Sequence, residues 1–128
     1  MRLLLDTHVL LWWLFDDPKL SKRARTAIAD PTSDVLVSAA TAWEIATKHR
    51  IGKLPDAGDV PARLPHYLRK AGFMSLPISV EHALFAGSLR GSHRDPFDRM
   101  LIAQAELEEL RLVSADKVLR GYLKGIIW

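Results

Sequence analysis

Five carboxylates in this chain recur in one kind of setting. Asp6 follows the apolar run Leu3-Leu4-Leu5, and Asp116 follows Leu112-Val113. Glu44 lies just beyond Val35-Leu36-Val37, and Asp95 and Asp98 open a long segment that starts at Pro96. Short continuous apolar runs suit strands buried on both faces of a parallel sheet, and such sheets place ligands at the carboxyl ends of their strands. Carboxylates gathered there repel one another and are driven toward protonation. A divalent cation removes that cost, and donors that are all oxygen suit the hard ions Mg²⁺ or Mn²⁺. Each acid also has a structural account. Asp6 and Asp116 are good helix N-caps, and Thr41-Ala42-Trp43-Glu44 is a capping-box pattern. Asp95 is an N-cap with Pro96 at N1, where Asp98 would complement the helix dipole. Their recurrence at one sheet edge is what favours the ligand reading.

Other chemistries lack their residues. With no cysteine, disulfides and thiolate metal sites are excluded. There is no His-Glu-x-x-His pair, no phosphate-binding glycine loop and no Gly-x-Ser-x-Gly elbow. Among the histidines, His8 and His93 stand near the acids and are candidates to contact substrate. The net charge of +3 permits a polyanionic partner. Its distribution is more informative: Lys48, His49, Arg50 and Lys53 cluster, as do Arg90, His93, Arg94 and Arg99. Both clusters adjoin acidic positions, which points to a phosphate-rich ligand.

The elements that must position these groups alternate. Strands are expected at Leu3–Leu5, Val35–Val37, Phe73–Ile78 and Leu112–Val113, with a terminal one near Gly125–Trp128. Helices are expected over Val9–Phe15, from Ser21 to Ala29, Ala39–Arg50, Ala62–Lys70, from Ser79 to Leu89, from Asp95 to Glu109, and after Asp116 to Leu123. Pro77 favours an edge position for the third strand. Alternation implies a single α/β domain over residues 1–128, a three-layer sandwich around a parallel sheet of four or five strands. Strand order is not fixed by these runs. The longest apolar run, Val9 to Phe15, is too short to span a bilayer and lacks the flanks of a signal peptide, so a cytoplasmic protein with no membrane partner is expected. On that helix Leu11, Leu14 and Phe15 share one face, expected to pack on the sheet. Val9 and Trp13 point the other way, and Trp13 is the expected anchor of a partner.

Four segments resemble the PIN-domain ribonucleases, and more narrowly the VapC toxins of bacterial toxin–antitoxin modules. They are Leu4-Leu5-Asp6-Thr7-His8, Ser38-Ala-Ala-Thr-Ala-Trp-Glu-Ile45, His93-Arg-Asp-Pro-Phe-Asp-Arg-Met-Leu-Ile-Ala-Gln-Ala105 and Leu112-Val-Ser-Ala-Asp116. Their order and spacing agree over essentially the whole chain. The resemblance implies a Rossmann-like PIN domain and a Mg²⁺- or Mn²⁺-dependent endoribonuclease, commonly dimeric and inhibited by a VapB-type antitoxin. By position Asp6, Glu44 and Asp98 match the family's principal acids and Asp116 the more variable fourth, giving the expected metal ligands. Asp95 is an extra carboxylate one turn before Asp98. Thr7 and Ser114 match polar positions lining such sites, and His93, Arg94 and Arg99 are expected to meet RNA phosphates. The rival is a PIN-like module that binds RNA or protein without cleaving.

Overall fold

The computed structural model describes residues 1–93 and 95–128. Its centre is β1 (Arg2–Leu5), flanked by β2 (Asp34–Ser38) and β4 (Arg111–Val113), with β3 (Met74–Leu76) outside β2. All pairings are parallel, in the order β3-β2-β1-β4. The register sets Leu3 beside Val35 and Leu5 beside Val113, so the chain leaves β1, β2 and β4 at one edge of the sheet.

Leu3, Leu4 and Leu5 are all fully buried because successive side chains point to opposite faces. Leu3 and Leu5 join Val35, Val37 and Val113 in a core covered by α1 (Thr7–Leu14), α2 (Lys22–Ala29), α3 (Ala39–Arg50) and α4 (Val60–Ala71). Leu4, Leu36 and Leu112 pack on the other face against Leu101, Ile102 and Ala105 of α6 (Pro96–Leu107). The remaining helix, α5 (Val80–Ser88), lies against α6 and is capped by Ser79, whose hydroxyl accepts the His82 N–H. The three-layer α/β sandwich is therefore present, with β3 at the edge as Pro77 implies.

Four expectations are corrected. The terminal strand contracts to a single bridge between Val113 and Ile127, which leaves a four-stranded sheet. The segment after Asp116 forms only a 3₁₀ turn, Lys117–Gly121. α6 stops at Leu107, and Glu109 takes a left-handed φ of 55° that a helix cannot continue. On α1 the expected division of faces holds only in part: Leu11 is buried and Leu14 packs on the core as expected, but Val9 is fully buried too, whereas Phe15 is 47% exposed. Trp13 packs on the core with its ring centroid 6.1 Å from that of Phe73, so it is not the free anchor expected. The helix is apolar nearly all round, and its neighbours, α3 and Phe73 among them, choose which face is covered. Among the described residues no helix is long and apolar enough to cross a membrane.

Candidate active site

Strand ends and helix starts converge on a cleft of about 70 Å³ lined by Asp6, Thr7, His8, Glu44, Lys48, Asp95, Asp98 and Asp116. Three of the acids arrive by a local rule. Asp6 ends β1, its backbone N–H donating to Val113 O across the sheet at 3.1 Å, and its carboxylate caps α1 by accepting the Val9 N–H at 2.8 Å. Asp95 caps α6, accepting the N–H groups of Phe97 and Asp98 through one oxygen, and Asp116 caps the 3₁₀ turn through Val118. Capping does not exclude a ligand role, since each cap engages one carboxylate oxygen.

The acids fall into two sets. Burial pushes the Asp6 carboxyl above its ordinary range; hydrogen bonds from Ser114 and the Val9 N–H pull it back, and Asp98 adds repulsion. Burial likewise raises Asp98, opposed by His93 and reinforced by Asp95 and Glu44. His93 Nε2 lies 2.8 Å from Asp98 Oδ2. Donor atoms of His93, Asp98 and Asp116 all fall within 4.8 Å of one another, a spacing that could hold a metal ion. Glu44 differs: the Thr7 hydroxyl donates to its Oε1 at 2.6 Å, and the Lys48 ammonium is bonded to its Oε2.

The loop that carries His93 is tied down by groups outside the cleft. Arg99 donates to the carbonyls of Ala86 (3.0 Å), His93 (2.9 Å) and Leu89, so its guanidinium holds backbone and does not face the cleft as expected. It pairs with neither Glu44 nor Asp95. Tyr122 receives the His93 N–H at 3.4 Å, and its hydroxyl fills the space over Gly91, where a Cβ would approach it to 2.2 Å. Gly91 also has φ 113°, so both contact and backbone require glycine. Ser114 is buried behind Asp6, and its hydroxyl accepts the Asp116 N–H. Arg94 lies outside the described residues. The residue that sequence reasoning passed over is Lys48, noted only as part of a basic cluster. Its spacing of four from Glu44 was the available signal.

A family profile for the PIN domain matches residues 3–122. Ribonuclease VapC22 of Mycobacterium tuberculosis is 32% identical over 123 residues, which cover 93% of this chain and 90% of that protein. Ribonuclease VapC16 of the same organism is 41% identical over 59 residues, 46% of this chain and 40% of that protein. A solved toxin–antitoxin complex from Klebsiella pneumoniae shares the fold, with a TM-score of 0.67, 22% identity and coverage of 98% of this chain and 95% of that one. The chain belongs to the PIN-domain family and, within it, to the VapC ribonucleases.

Proposed function

We propose that this chain is the toxin of a VapBC-type module, an endoribonuclease that uses Mg²⁺ or Mn²⁺ and acts in the cytoplasm. The observation that carries this reading is the convergence of Asp6, Asp98, Asp116 and His93 on one cleft, with two of these carboxyls held up by burial. Oxygen donors with one imidazole fit a hard divalent cation, and such an ion would relieve the burial and repulsion that raise Asp6 and Asp98. Asp6 and Asp98 would hold it, with Asp116 and His93 beside them and Glu44 in support. When bound, the ion lowers the pKa of water and polarises the phosphoryl group. Asp95 and Ser114 fix the backbone turns that aim Asp98, Asp6 and Asp116. Thr7 fixes Glu44. Water adds to phosphorus, the bond to the 3′ oxygen breaks, and the products carry 5′-phosphate and 3′-hydroxyl ends. His93, beside the acids, would meet a flanking phosphate, and Arg94, its neighbour in sequence, is proposed for the same role.

Incubating the purified protein with structured RNA tests the reading. Cleavage in Mn²⁺ or Mg²⁺ that a chelator abolishes is expected. RNA binding without cleavage in either ion would establish the non-catalytic alternative.

Two protein partners follow from the same reading. A VapB-type antitoxin would lie in the groove that adjoins the cleft at His8, lined by Trp12, Phe15, Leu54 and Pro55. Phe15, exposed there, replaces Trp13 as the anchor. Phe15→Ala should weaken antitoxin binding about tenfold or more, on the scale of an interface aromatic, with cleavage by the free chain kept. Binding unchanged in calorimetry would move the antitoxin elsewhere. A second copy of the chain would cover the exposed apolar residues Trp43, Ile78, Val80 and Leu84. Sedimentation of Leu84→Glu as a monomer beside a wild-type dimer is the expected check.

A further inference from the structure

Besides its five carboxylates the cleft holds Lys48, the one lysine or arginine lining it among the described residues. Resting on the ribonuclease reading above, we propose that Lys48 receives the phosphate to be cut, and that Glu44 is a positioning residue holding its ammonium over the cleft.

Thr41, Glu44 and Lys48 follow one another at three and four residues on α3, so they share a face. That face is turned inward: Thr41 and Glu44 are buried, and Lys48 is half-buried at the mouth of the cleft. An ordinary i,i+4 pair is exposed at both ends and holds neither partner firmly. Here the Glu44 side chain is only 5% exposed, against 31% for Lys48. Releasing the ammonium would leave a buried carboxylate uncompensated, so the pair is pinned from the acid's side.

Both oxygens of Glu44 are engaged, one by Thr7 and one by Lys48. Glu44 can therefore offer an ion a direct oxygen only by losing one of these partners. His93, Asp98 and Asp116 already bring donors together without it. An ammonium has three N–H donors on a compact charge. Lys48 can give one to Glu44 and turn another toward a non-bridging phosphate oxygen. The need is electrostatic, because a phosphodiester entering this cleft meets carboxylates on every side. Arg99, one of the groups expected to meet RNA phosphates, is spent on backbone carbonyls.

The test compares wild type with Lys48→Met, Lys48→Arg and Glu44→Gln. Three readouts are Mn²⁺ affinity by electron paramagnetic resonance, cleavage of bulk structured RNA in Mn²⁺, and the salt dependence of binding that RNA in Ca²⁺. For Lys48→Met, kcat/KM should fall about 10²-fold, the scale for removing one charge-stabilising donor. Its log–log salt slope should flatten by about 0.7 to 0.9, one phosphate contact. Its Mn²⁺ affinity should be unchanged or tighter. Lys48→Arg should recover at least a tenth of the wild-type rate, and Glu44→Gln should keep Mn²⁺ affinity within about threefold while losing rate. Wild-type cleavage and salt slope in Lys48→Met would reduce Lys48 to a helix-surface pair and overturn the proposal. So would loss of Mn²⁺ binding in Glu44→Gln, which would make Glu44 a ligand. A wild-type protein that fails to cleave would sink the ribonuclease reading instead, and the salt slope would still decide on Lys48.

Discussion

The two sides of the acidic cleft are built on opposite electrostatic plans. On the α3 side, Glu44 is buried yet fully compensated by the Thr7 hydroxyl and the Lys48 ammonium. On the β1 and α6 side, Asp6 is buried and Asp98 half-buried with too little to offset the cost, and both carboxyls are pushed up as a result. A finished pair needs no further ligand. An unfinished pair would gain from one. On the function proposed above, the contrast assigns the ion to the side of Asp6 and Asp98 and the substrate to the compensated side.

The largest expected effect comes from dismantling the unfinished side. Asp98→Asn should lower cleavage about 10³-fold or more, equivalent to several kcal/mol of lost charge stabilisation. In metal-free buffer the same variant should melt no lower than wild type, since a repelling charge has gone. A clear drop in metal-free Tm would mean that the His93 contact outweighs the repulsion, breaking the contrast. Asp95→Asn should be milder in rate, because Asp95 acts chiefly as a cap.

Arg99→Ala comes next. It removes three donations that tie Ala86, Leu89 and His93 to α6, and should cost about 2 kcal/mol in urea unfolding. Its salt slope for RNA should stay at the wild-type value, in contrast to Lys48→Met. A flattened slope would return Arg99 to the phosphate path. On the compensated side, Thr7→Val strips one oxygen of Glu44 of its partner in a buried setting, which should cost about 1 kcal/mol.

The smallest effect is a dependence on pH. Asp6 and Asp98 have folded pKa values above the ordinary 3.8, so the metal-free native state binds more protons than the unfolded chain between those limits. Their contribution to stability therefore declines as pH rises through that window. The gap in metal-free Tm between Asp98→Asn and wild type should open from nothing near pH 3 toward its full value at neutral pH. Adding Mn²⁺ should close it. A gap independent of pH would deny that the raised carboxyl is its source.

The sequence by itself determined the alternation of strands and helices, the acids at their junctions and the PIN-domain pattern they form. These are legible because each depends on near neighbours: a run of three leucines, a proline at N1, a carboxylate at a cap. Asp6, Asp95, Asp98 and Asp116 could be placed at one edge of a parallel sheet on that basis alone. Only the tertiary structure decided the order β3-β2-β1-β4, the covered face of α1 and the division of labour inside the cleft. A helix that is apolar all round carries no mark of which side its neighbours will cover, so Val9 and Trp13 went inward against expectation. Arg99 lies next to Asp98 in sequence, yet carbonyls from the last turn of α5 and the loop after it, up to thirteen residues away, took its guanidinium. Thr7 reached Glu44 across 37 residues because β1 and β2 are adjacent in the sheet. Which charges end up buried, and which are compensated, depends on such long-range neighbours, and no local spacing records them.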